Sequence, residues 1–461
     1  MQSKPETQPL HRLWPTSRLF GLLPMSLQRC QCAVQRRRLR PLERLSVPGG
    51  PRWARCWCPP LAPSLGWLLY SLSLMTLVVG WTAYKLVHKY ADMSLLDEAL
   101  AANVTSTSGQ ETTRLVGLFD MTTISVIAAV CVLQAATTQH LVLRLNAQLR
   151  RVDSLLAPRA YAVPRWLLVF LMTLSFVALL DLFYKLCDDE QYAIHTMPSY
   201  LAYIITYMRE AMFVDDVSGV RARFRTINAE LTDCLSDYPA AEVHETVVNT
   251  DRKSRAIGRL ATAYDLLCQC VESVARQHSL FLLCNMLGLV VRLVVTTYFI
   301  VDLVLESDAF AEVRPEPPPS LRSMFVTIQV LWLACHFLRM LALVQPCSST
   351  IEEALLTGSI VSRSVSYEML DGQISVQLKS LSMHLLHRKI TVSAFGVFDL
   401  SLPLVCTVST ARVEMCATLF TLDLIDSLSL PGDERRHYVP CSAHTAEATQ
   451  PRRGPLIRMP K

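Results

Sequence analysis

Long apolar runs separated by charged segments set the pattern of this chain. Each run approaches the roughly 20 residues that a helix needs to cross a hydrocarbon core about 30 Å thick. Backbone N–H and C=O groups find no partners in lipid, so runs of this length predict membrane-spanning helices. Six spans are predicted in order: Leu65–Val87, Leu115–Ala136, Trp166–Cys187, Tyr192–Met208, Leu280–Val301 and Met324–Val344.

A seventh apolar run begins near Leu400 and ends at Ala411, before Arg412 and Glu414. A charge at the centre of a membrane helix costs roughly 2.5–3.5 kcal/mol on insertion scales. The sequence therefore predicts seven transmembrane helices, of which the last is disrupted. Because 51% of the 461 residues are hydrophobic, we expect an all-α membrane protein.

Lysine and arginine are distributed unevenly between the loops on the two sides of the predicted bundle. Residues 1–60 carry eleven of them against two acidic residues, and loops 137–165 and 216–278 carry five and eight. On the opposite side, loop 88–114 carries two and loop 302–320 carries one. The side richer in Lys and Arg stays in the cytoplasm. The N-terminus is therefore predicted to be cytoplasmic, and an odd number of spans places the C-terminus outside.

The long cytoplasmic segment shows helical periodicity on both sides of a polar stretch, Ser236–Ser254, which is predicted to be a loop. The second helical part has one apolar face that repeats every three or four residues. Its members are Ile257, Leu260, Tyr264, Leu267 and Val271. Because this face lies outside the predicted spans, we expect it to need a protein partner that buries it.

Three motifs carry a family resemblance. Arg18–Pro24, with the sequence RLFGLLP, precedes span one, and Phe224, Asn228 and Leu231 follow span four. The third motif runs from Glu353 to Leu400 and ends in Gly-Val-Phe-Asp-Leu at the entry to the last helix. In this order, and with a cytoplasmic N-terminus and a long fourth loop, they resemble insect gustatory receptors, which are seven-helix ligand-gated cation channels.

The resemblance implies a homo- or heterotetramer with other gustatory receptor subunits, opened by a small-molecule tastant in the lipid bilayer of the plasma membrane. It also implies that cytoplasmic extensions of helices four to six form an anchor domain with the first part of helix seven.

The expected segments are 1–64 (cytoplasmic N-terminal region), 65–215 (helices one to four), 216–279 (cytoplasmic helical extension), 280–344 (helices five and six), 345–399 (cytoplasmic segment and anchor part of helix seven), 400–425 (disrupted pore helix) and 426–461 (polar tail).

The resemblance also assigns roles in helix seven. Phe395, Gly396 and Phe398 correspond to a hinge between anchor and pore, because glycine lets the chain bend there. The alternative for the same residues is a helix kink packed on its neighbours. The pore wall then begins with the small and apolar residues Leu402, Val405, Thr407 and Ser409.

The chain departs from the family after Val408. Gustatory receptors end helix seven with Thr-Tyr, about five apolar residues and Gln-Phe, and neither pair occurs here after Val408. A retained intron or a shifted reading frame accounts for this change, and a divergent natural pore is the alternative.

Ionisable and aromatic residues within the other spans are the candidates for a ligand pocket. They are Asp181, Tyr184, Tyr200, Tyr203 and Arg292. For Asp181 the alternative is an ion pair with Lys185, and for Arg292 it is a structural ion pair. Tyrosines also form belts at membrane interfaces without binding any ligand.

No phosphate-binding loop, nucleophile motif or zinc spacing occurs, so we expect no enzyme activity, cofactor, metal site or nucleic-acid binding. Three alternatives remain: a G-protein-coupled receptor, a structural or transport membrane protein, and a non-conducting splice or gene-model variant of the same family. The topology opposes the first, and neither an Asp-Arg-Tyr-like nor an Asn-Pro-x-x-Tyr-like motif is present.

The charge asymmetry predicts a cytoplasmic N-terminus and glycosylation of Asn103, which lies in the sequon Asn103-Val104-Thr105 of the first external loop. An epitope tag at the N-terminus should stain only permeabilised cells, whereas a C-terminal tag should stain intact ones. Asn103→Gln should remove the shift in gel mobility caused by glycosidase. Surface staining of the N-terminal tag would show that the bundle has the opposite orientation.

Overall fold

The computed structural model of the chain describes residues 14–23, 25–27, 61–100, 108–156, 165–188, 190–236, 247–309, 319–365, 372–388, 390–407 and 410. These residues are mostly helical. The helices are α1 (Trp14–Leu19), α2 (Leu65–Leu100), α3 (Ser108–Thr137), α4 (Gln139–Leu155), α5 (Arg165–Asp188), α6 (Glu190–Ser236), α7 (Val247–Ala309), α8 (Pro319–Val365) and α9 (Gly372–His387). The strands are β1 (Met25–Leu27), β2 (Leu61–Pro63), β3 (Ser393–Ala394) and β4 (Phe398–Asp399).

Five of the described helices are long and apolar enough to cross a membrane, namely α2, α3, α5, α7 and α8. They contain predicted spans one, two, three, five and six. Span four lies in α6, which is continuous through Pro198 but is not among these five helices. The all-α membrane fold is thus confirmed, while the count of seven spans and their orientation stay predictions.

The three longest described helices extend well beyond a bilayer. At 1.5 Å per residue, the 47 residues of α6 and the 47 residues of α8 each measure ~70 Å, and the 63 residues of α7 measure ~95 Å. A hydrocarbon core takes about 30 Å of that length. The extension of spans four to six as helices therefore agrees with the sequence analysis. The predicted loop Ser236–Ser254 is too long, however, because α7 already begins at Val247, so residues 247–254 are helical.

The predicted cytoplasmic loop 137–165 is also largely helical. After a break at Thr138 the chain forms α4, which packs against α7. Its buried face contains Val142, Leu145, Leu149 and Val152, whose spacing is that of one side of a helix. This apolar stripe is short and lies among many charged residues, so the number of Lys and Arg in the loop gives no sign of it.

The apolar face of α7 is buried within the chain itself. Ile257, Leu260, Tyr264, Leu267 and Val271 are all at most 4% exposed. The expectation that this face needs a partner protein is therefore wrong, because α4, α6 and α9 pack against α7. Substituting aspartate for Leu260 or Leu267 would place a charge in the core of one subunit.

The family motif after span four joins α6 to the C-terminal part of α8. Phe224 and Leu231 are fully buried, and the ring of Phe224 lies edge-on to Tyr264 of α7. Asn228 Nδ2 donates to the Glu353 carbonyl at 2.9 Å, and its Oδ1 accepts from Thr357 Oγ1 at 2.6 Å. These contacts fix α6, α7 and α8 to one another beyond the predicted spans.

The stretch between α9 and the last described helical turn, 402–407, is a β-hairpin. Strands β3 and β4 pair antiparallel, and Val397 N–H donates to the Ala394 carbonyl at 3.0 Å. Phe395 and Gly396 have φ of 53° and 74° in the turn. The predicted helix kink at Phe395–Phe398 is therefore wrong, since the chain leaves the helix completely. The hinge role of Phe395, Gly396 and Phe398 stays a prediction.

The motif ahead of span one forms a compact support beneath α2. Gly21 has φ 71°, and a Cβ atom there would lie 3.2 Å from Ser71 Cα. Tyr70 donates its hydroxyl to the Leu19 carbonyl at 2.7 Å, and the Arg18 guanidinium lies 3.9 Å from the centre of the Trp67 ring. At position 21 glycine is required for two reasons: its φ is positive, and Ser71 lies too close for an added Cβ atom.

Gly21→Ala should lower the stability of the folded chain by about 1–3 kcal/mol, because alanine is strained at this φ and contacts Ser71. Thermal unfolding of the purified protein in detergent measures the effect. The matched control is Gly80→Ala, where no atom lies within 4 Å of the added Cβ and alanine favours the helix. Equal melting temperatures for the two variants would contradict this account of Gly21.

Candidate functional site

A buried ion pair joins three helices of the bundle. Arg292 of α7 is 0% exposed, and its Nε donates to Asp120 Oδ1 of α3 at 3.0 Å. Tyr203 of α6 donates its hydroxyl to the other oxygen, Asp120 Oδ2, at 3.2 Å. The guanidinium carbon also lies 4.9 Å from the centre of the Tyr203 ring. The structural ion pair considered for Arg292 is therefore present, and it includes the predicted pocket residue Tyr203.

An aromatic stack continues from this pair into α8. The rings of Tyr203 and Trp332 are stacked with centroids 5.3 Å apart, and Trp332 stacks on His336 at 5.5 Å. Stacked rings bury large apolar areas in a defined geometry. His336 is 3% exposed. The stack therefore fixes α6 against α8 next to Arg292.

A second ion pair lies about two helical turns further along α6, because Glu210 follows Tyr203 by seven residues. Arg339 of α8 donates from Nη2 to Glu210 Oε1 at 2.8 Å and from Nε to Oε2 at 3.1 Å. Asn285 Nδ2 of α7 donates to the same Glu210 at 2.7 Å. The Arg339 guanidinium also lies 4.5 Å from the centre of the Tyr207 ring. Such two-point pairs are directional as well as strong, so they determine how the three helices meet.

The remaining pocket candidates lie around the C-terminal half of α5, with Tyr200 contributed by α6. Lys185 Nζ lies 3.1 Å from Asp181 Oδ2, and the Tyr200 hydroxyl donates to the same oxygen at 2.7 Å. The Lys185 pairing considered for Asp181 is therefore observed. The ring of Tyr184 contacts Phe325 at 5.6 Å between centroids. The structure thus divides the five candidates into Asp181 with Tyr200, Tyr203 with Arg292, and Tyr184 beside Phe325.

The predicted pore residues are described only in part. Leu402 and Thr407 are exposed, and Thr407 Oγ1 donates to the Leu404 carbonyl at 2.9 Å. Val405 is 4% exposed and packs in the core of the chain, so its side chain does not line an open surface of this subunit. Ser409, like the glycosylation candidate Asn103, lies outside the described residues.

The acidic partners of the two arginines were not among the predicted site residues. Asp120 is an acid within the apolar run of span two, so its position alone could have marked it as a candidate. Glu210 stands next to Arg209 directly after predicted span four, where a charged pair is expected to end a span. Which acid pairs with which arginine depended on how the helices pack, and no spacing along the chain contained that information.

A third polar cluster lies where α6 and α7 leave the predicted spans. Asp216 Oδ2 is 3.2 Å from Nε2 of the buried His278, and Arg209 Nη2 donates to the Gln277 carbonyl at 3.1 Å. Burial, with a smaller contribution from neighbouring Asp215, raises the pKa of Asp216 to about 8, although Arg209 opposes the shift. Asp216 is therefore largely protonated at neutral pH.

Comparisons with known proteins agree with this architecture. A family model described as "7tm Chemosensory receptor" matches residues 100–413. The solved structure of the insect olfactory receptor OR5 from Machilis hrabei is similar with a TM-score of 0.55 at 11% identity, covering 90% of this chain and 97% of the receptor. The same receptor in complex with eugenol gives a TM-score of 0.52 at 10% identity with the same coverage. No curated protein matches the chain significantly.

Arg339→Met should destabilise the folded protein by about 3–5 kcal/mol, because it leaves the Glu210 carboxylate buried without its cation. Adding Glu210→Gln should recover much of that loss, since the glutamine oxygen is uncharged and still accepts from Asn285. Thermal or chemical unfolding in detergent measures both variants, with the exposed Arg363→Met on the same helix as control. A double variant as unstable as the single one would contradict the ion-pair account.

The raised pKa of Asp216 gives stability a defined pH dependence. Between about pH 4 and pH 8 the folded chain holds a proton that the unfolded chain releases, so the free energy of unfolding should fall as pH rises. Asp216→Asn should flatten this fall, which at most amounts to about 1.4 kcal/mol per pH unit. Melting temperatures at pH 5 and pH 8 test it, and a slope in Asp216→Asn equal to that of the wild-type chain would contradict this account.

Proposed function

Because the chain belongs to the 7tm chemosensory receptor family, we propose that it is a gustatory receptor and acts as a subunit of a ligand-gated, non-selective cation channel. Its ligand is a small-molecule tastant, and its site of action is the plasma membrane. The observation that carries the proposal is the buried network of Asp120, Arg292, Tyr203, Glu210 and Arg339 inside the apolar bundle. Ionisable groups in a membrane are costly and mark functional sites.

The network suits ligand-controlled gating because it joins four helices through few contacts. A ligand that changes how Arg292 contacts α3 and α6 alters the relative energies of two bundle arrangements, and only such a difference shifts an equilibrium. The helix α6 runs without interruption from Tyr200 to Ser236. A displacement of its outer half is therefore carried into the cytoplasmic helices as rigid motion.

Assembly into a tetramer is proposed from the family resemblance and from exposed apolar side chains on the lower helices. Four of them are at least 47% exposed, namely Leu355, Leu356, Val376 and Met383. In the predicted topology they lie beyond the bilayer, where an apolar patch calls for a protein partner. These residues replace the face of Leu260 and Leu267 as the proposed contact with neighbouring subunits, which are copies of this chain or other gustatory receptors.

Residues around the seventh helix support a second candidate function, that of a non-conducting variant of the same family. The helical turn 402–407 is followed closely by Arg412 and Glu414 in the sequence. From Leu400 to Ala411 a helix would measure ~18 Å, which is short of a core about 30 Å thick. In the channel of the first candidate, we propose that Leu402, Thr407 and Ser409 line the pore, whereas Val405 packs in the core of the subunit.

A single set of recordings separates the two candidates. For the non-conducting variant, the unmodified chain, expressed in cells that lack endogenous receptors, should give little tastant-evoked cation current. A chimera in which a family-like ending, from Thr-Tyr through Gln-Phe, replaces the residues after Val408 should conduct, because its helix can cross the core without charges. Surface labelling confirms equal delivery of both proteins to the membrane.

Robust ligand-evoked current from the unmodified chain would exclude the non-conducting variant and show that Arg412 and Glu414 belong to a working pore. Arg412→Leu with Glu414→Leu is the matched control, because it removes the charges and keeps the rest of the sequence. A G-protein-coupled receptor would instead give responses that disappear on inhibition of G proteins.

A further inference from the structure

Arg292 has donors that none of the described residues uses. Its guanidinium carries five N–H groups in a fixed planar fork, and Nε donates to Asp120. Nη1 and Nη2 are buried and have no hydrogen-bond partner among the described residues. By contrast, Arg339 uses both Nε and Nη2 on Glu210. Leaving charged donors unpaired in a buried site is costly, so a partner from outside the chain is favoured.

The charges around Arg292 already cancel. Arg292 pairs with Asp120, and Arg339 pairs with Glu210, so each buried cation has a carboxylate within 3.1 Å. A negatively charged ligand would add a buried charge without a free counterion, and this costs more than it gains. An uncharged acceptor satisfies the two nitrogens without that penalty.

We propose that Nη1 and Nη2 of Arg292 bind the carbonyl oxygen of a small uncharged ligand, so that Arg292 determines which ligands the bundle accepts. The inference rests on the proposed function, because it names the ligand class of the same receptor site. A carbonyl oxygen has two lone pairs, and it can therefore accept from both nitrogens of the fork. Asp120 and the Tyr203 ring hold the guanidinium in place for this contact.

Binding to the purified full chain in detergent tests the proposal without any need for current. The probes are two matched pairs, acetophenone with ethylbenzene and cyclohexanone with methylcyclohexane, and ligand-induced shifts in melting temperature give the affinities. Within each pair, the carbonyl compound should bind at least about tenfold more tightly to the wild-type chain. Arg292→Lys keeps a cation beside Asp120 but removes the fork, so it should abolish this difference while the chain stays folded.

A second variant tests the charge balance. Asp120→Asn leaves the Arg292 cation without its carboxylate, so it should create binding of benzoate that the wild-type chain lacks. Arg292→Met should bind no benzoate and should bind each ketone no more tightly than its matched hydrocarbon. Arg292→Lys makes the same comparison of ketone with hydrocarbon should the methionine variant fail to fold.

Four outcomes would overturn the proposal. Equal binding of carbonyl compound and hydrocarbon would mean that buried water occupies the two nitrogens. Tighter binding of benzoate than of acetophenone to the wild-type chain would mean that the site takes anions. Ketone binding that survives Arg292→Lys, or no binding of either ketone up to its solubility, would show that Arg292 does not select carbonyl ligands. Selective ketone binding without ligand-evoked current from the unmodified chain would instead favour the non-conducting variant over the channel and leave this inference standing.

Discussion

Pairing of buried arginines with acids from other helices is the constraint on which this bundle depends. Arg292 and Arg339 are fully buried, and each meets a carboxylate from another helix, Asp120 or Glu210. An unpaired charge at such positions would cost several kcal/mol, so α3, α6, α7 and α8 can associate only in arrangements that bring these groups together. Apolar packing alone would tolerate many rotations of smooth helices, whereas two directional ion pairs select one of them.

The same contacts place the candidate ligand site and the helical extensions beyond the predicted spans on shared elements. Tyr203 and Glu210 lie on the helix that continues to Phe224 and Asn228, where it is fixed to α7 and α8. A change at Arg292 therefore acts on α6, whose C-terminal part is already fixed against α7 and α8. This continuity gives a physical basis for coupling between the two regions.

The hairpin at Phe395–Val397 separates the last two helical segments without a kinked helix. A non-glycine residue with φ of 53° is uncommon, and Phe395 is also 62% exposed. The turn is held by the pairing of β3 with β4 and by the bond from Leu400 N–H to the Val392 carbonyl at 2.8 Å. The chain thus changes direction here through hydrogen bonds of its own, and the direction of the following segment does not depend on bending a helix.

The sequence by itself determined the class of fold and the position of its apolar helices. Long apolar runs permit only membrane helices because lipid offers no partners to the backbone, and this requirement is local to each segment. It could also mark Arg292, Tyr203 and Asp181 as candidates, since an ionisable group in an apolar run is visible without a structure. Only the tertiary structure decided that Arg292 meets Asp120, that the Leu260 face is covered by the chain's own helices, and that Val405 faces the core. Partner choice between segments more than a hundred residues apart depends on helix rotation and packing, which no periodicity within one segment encodes.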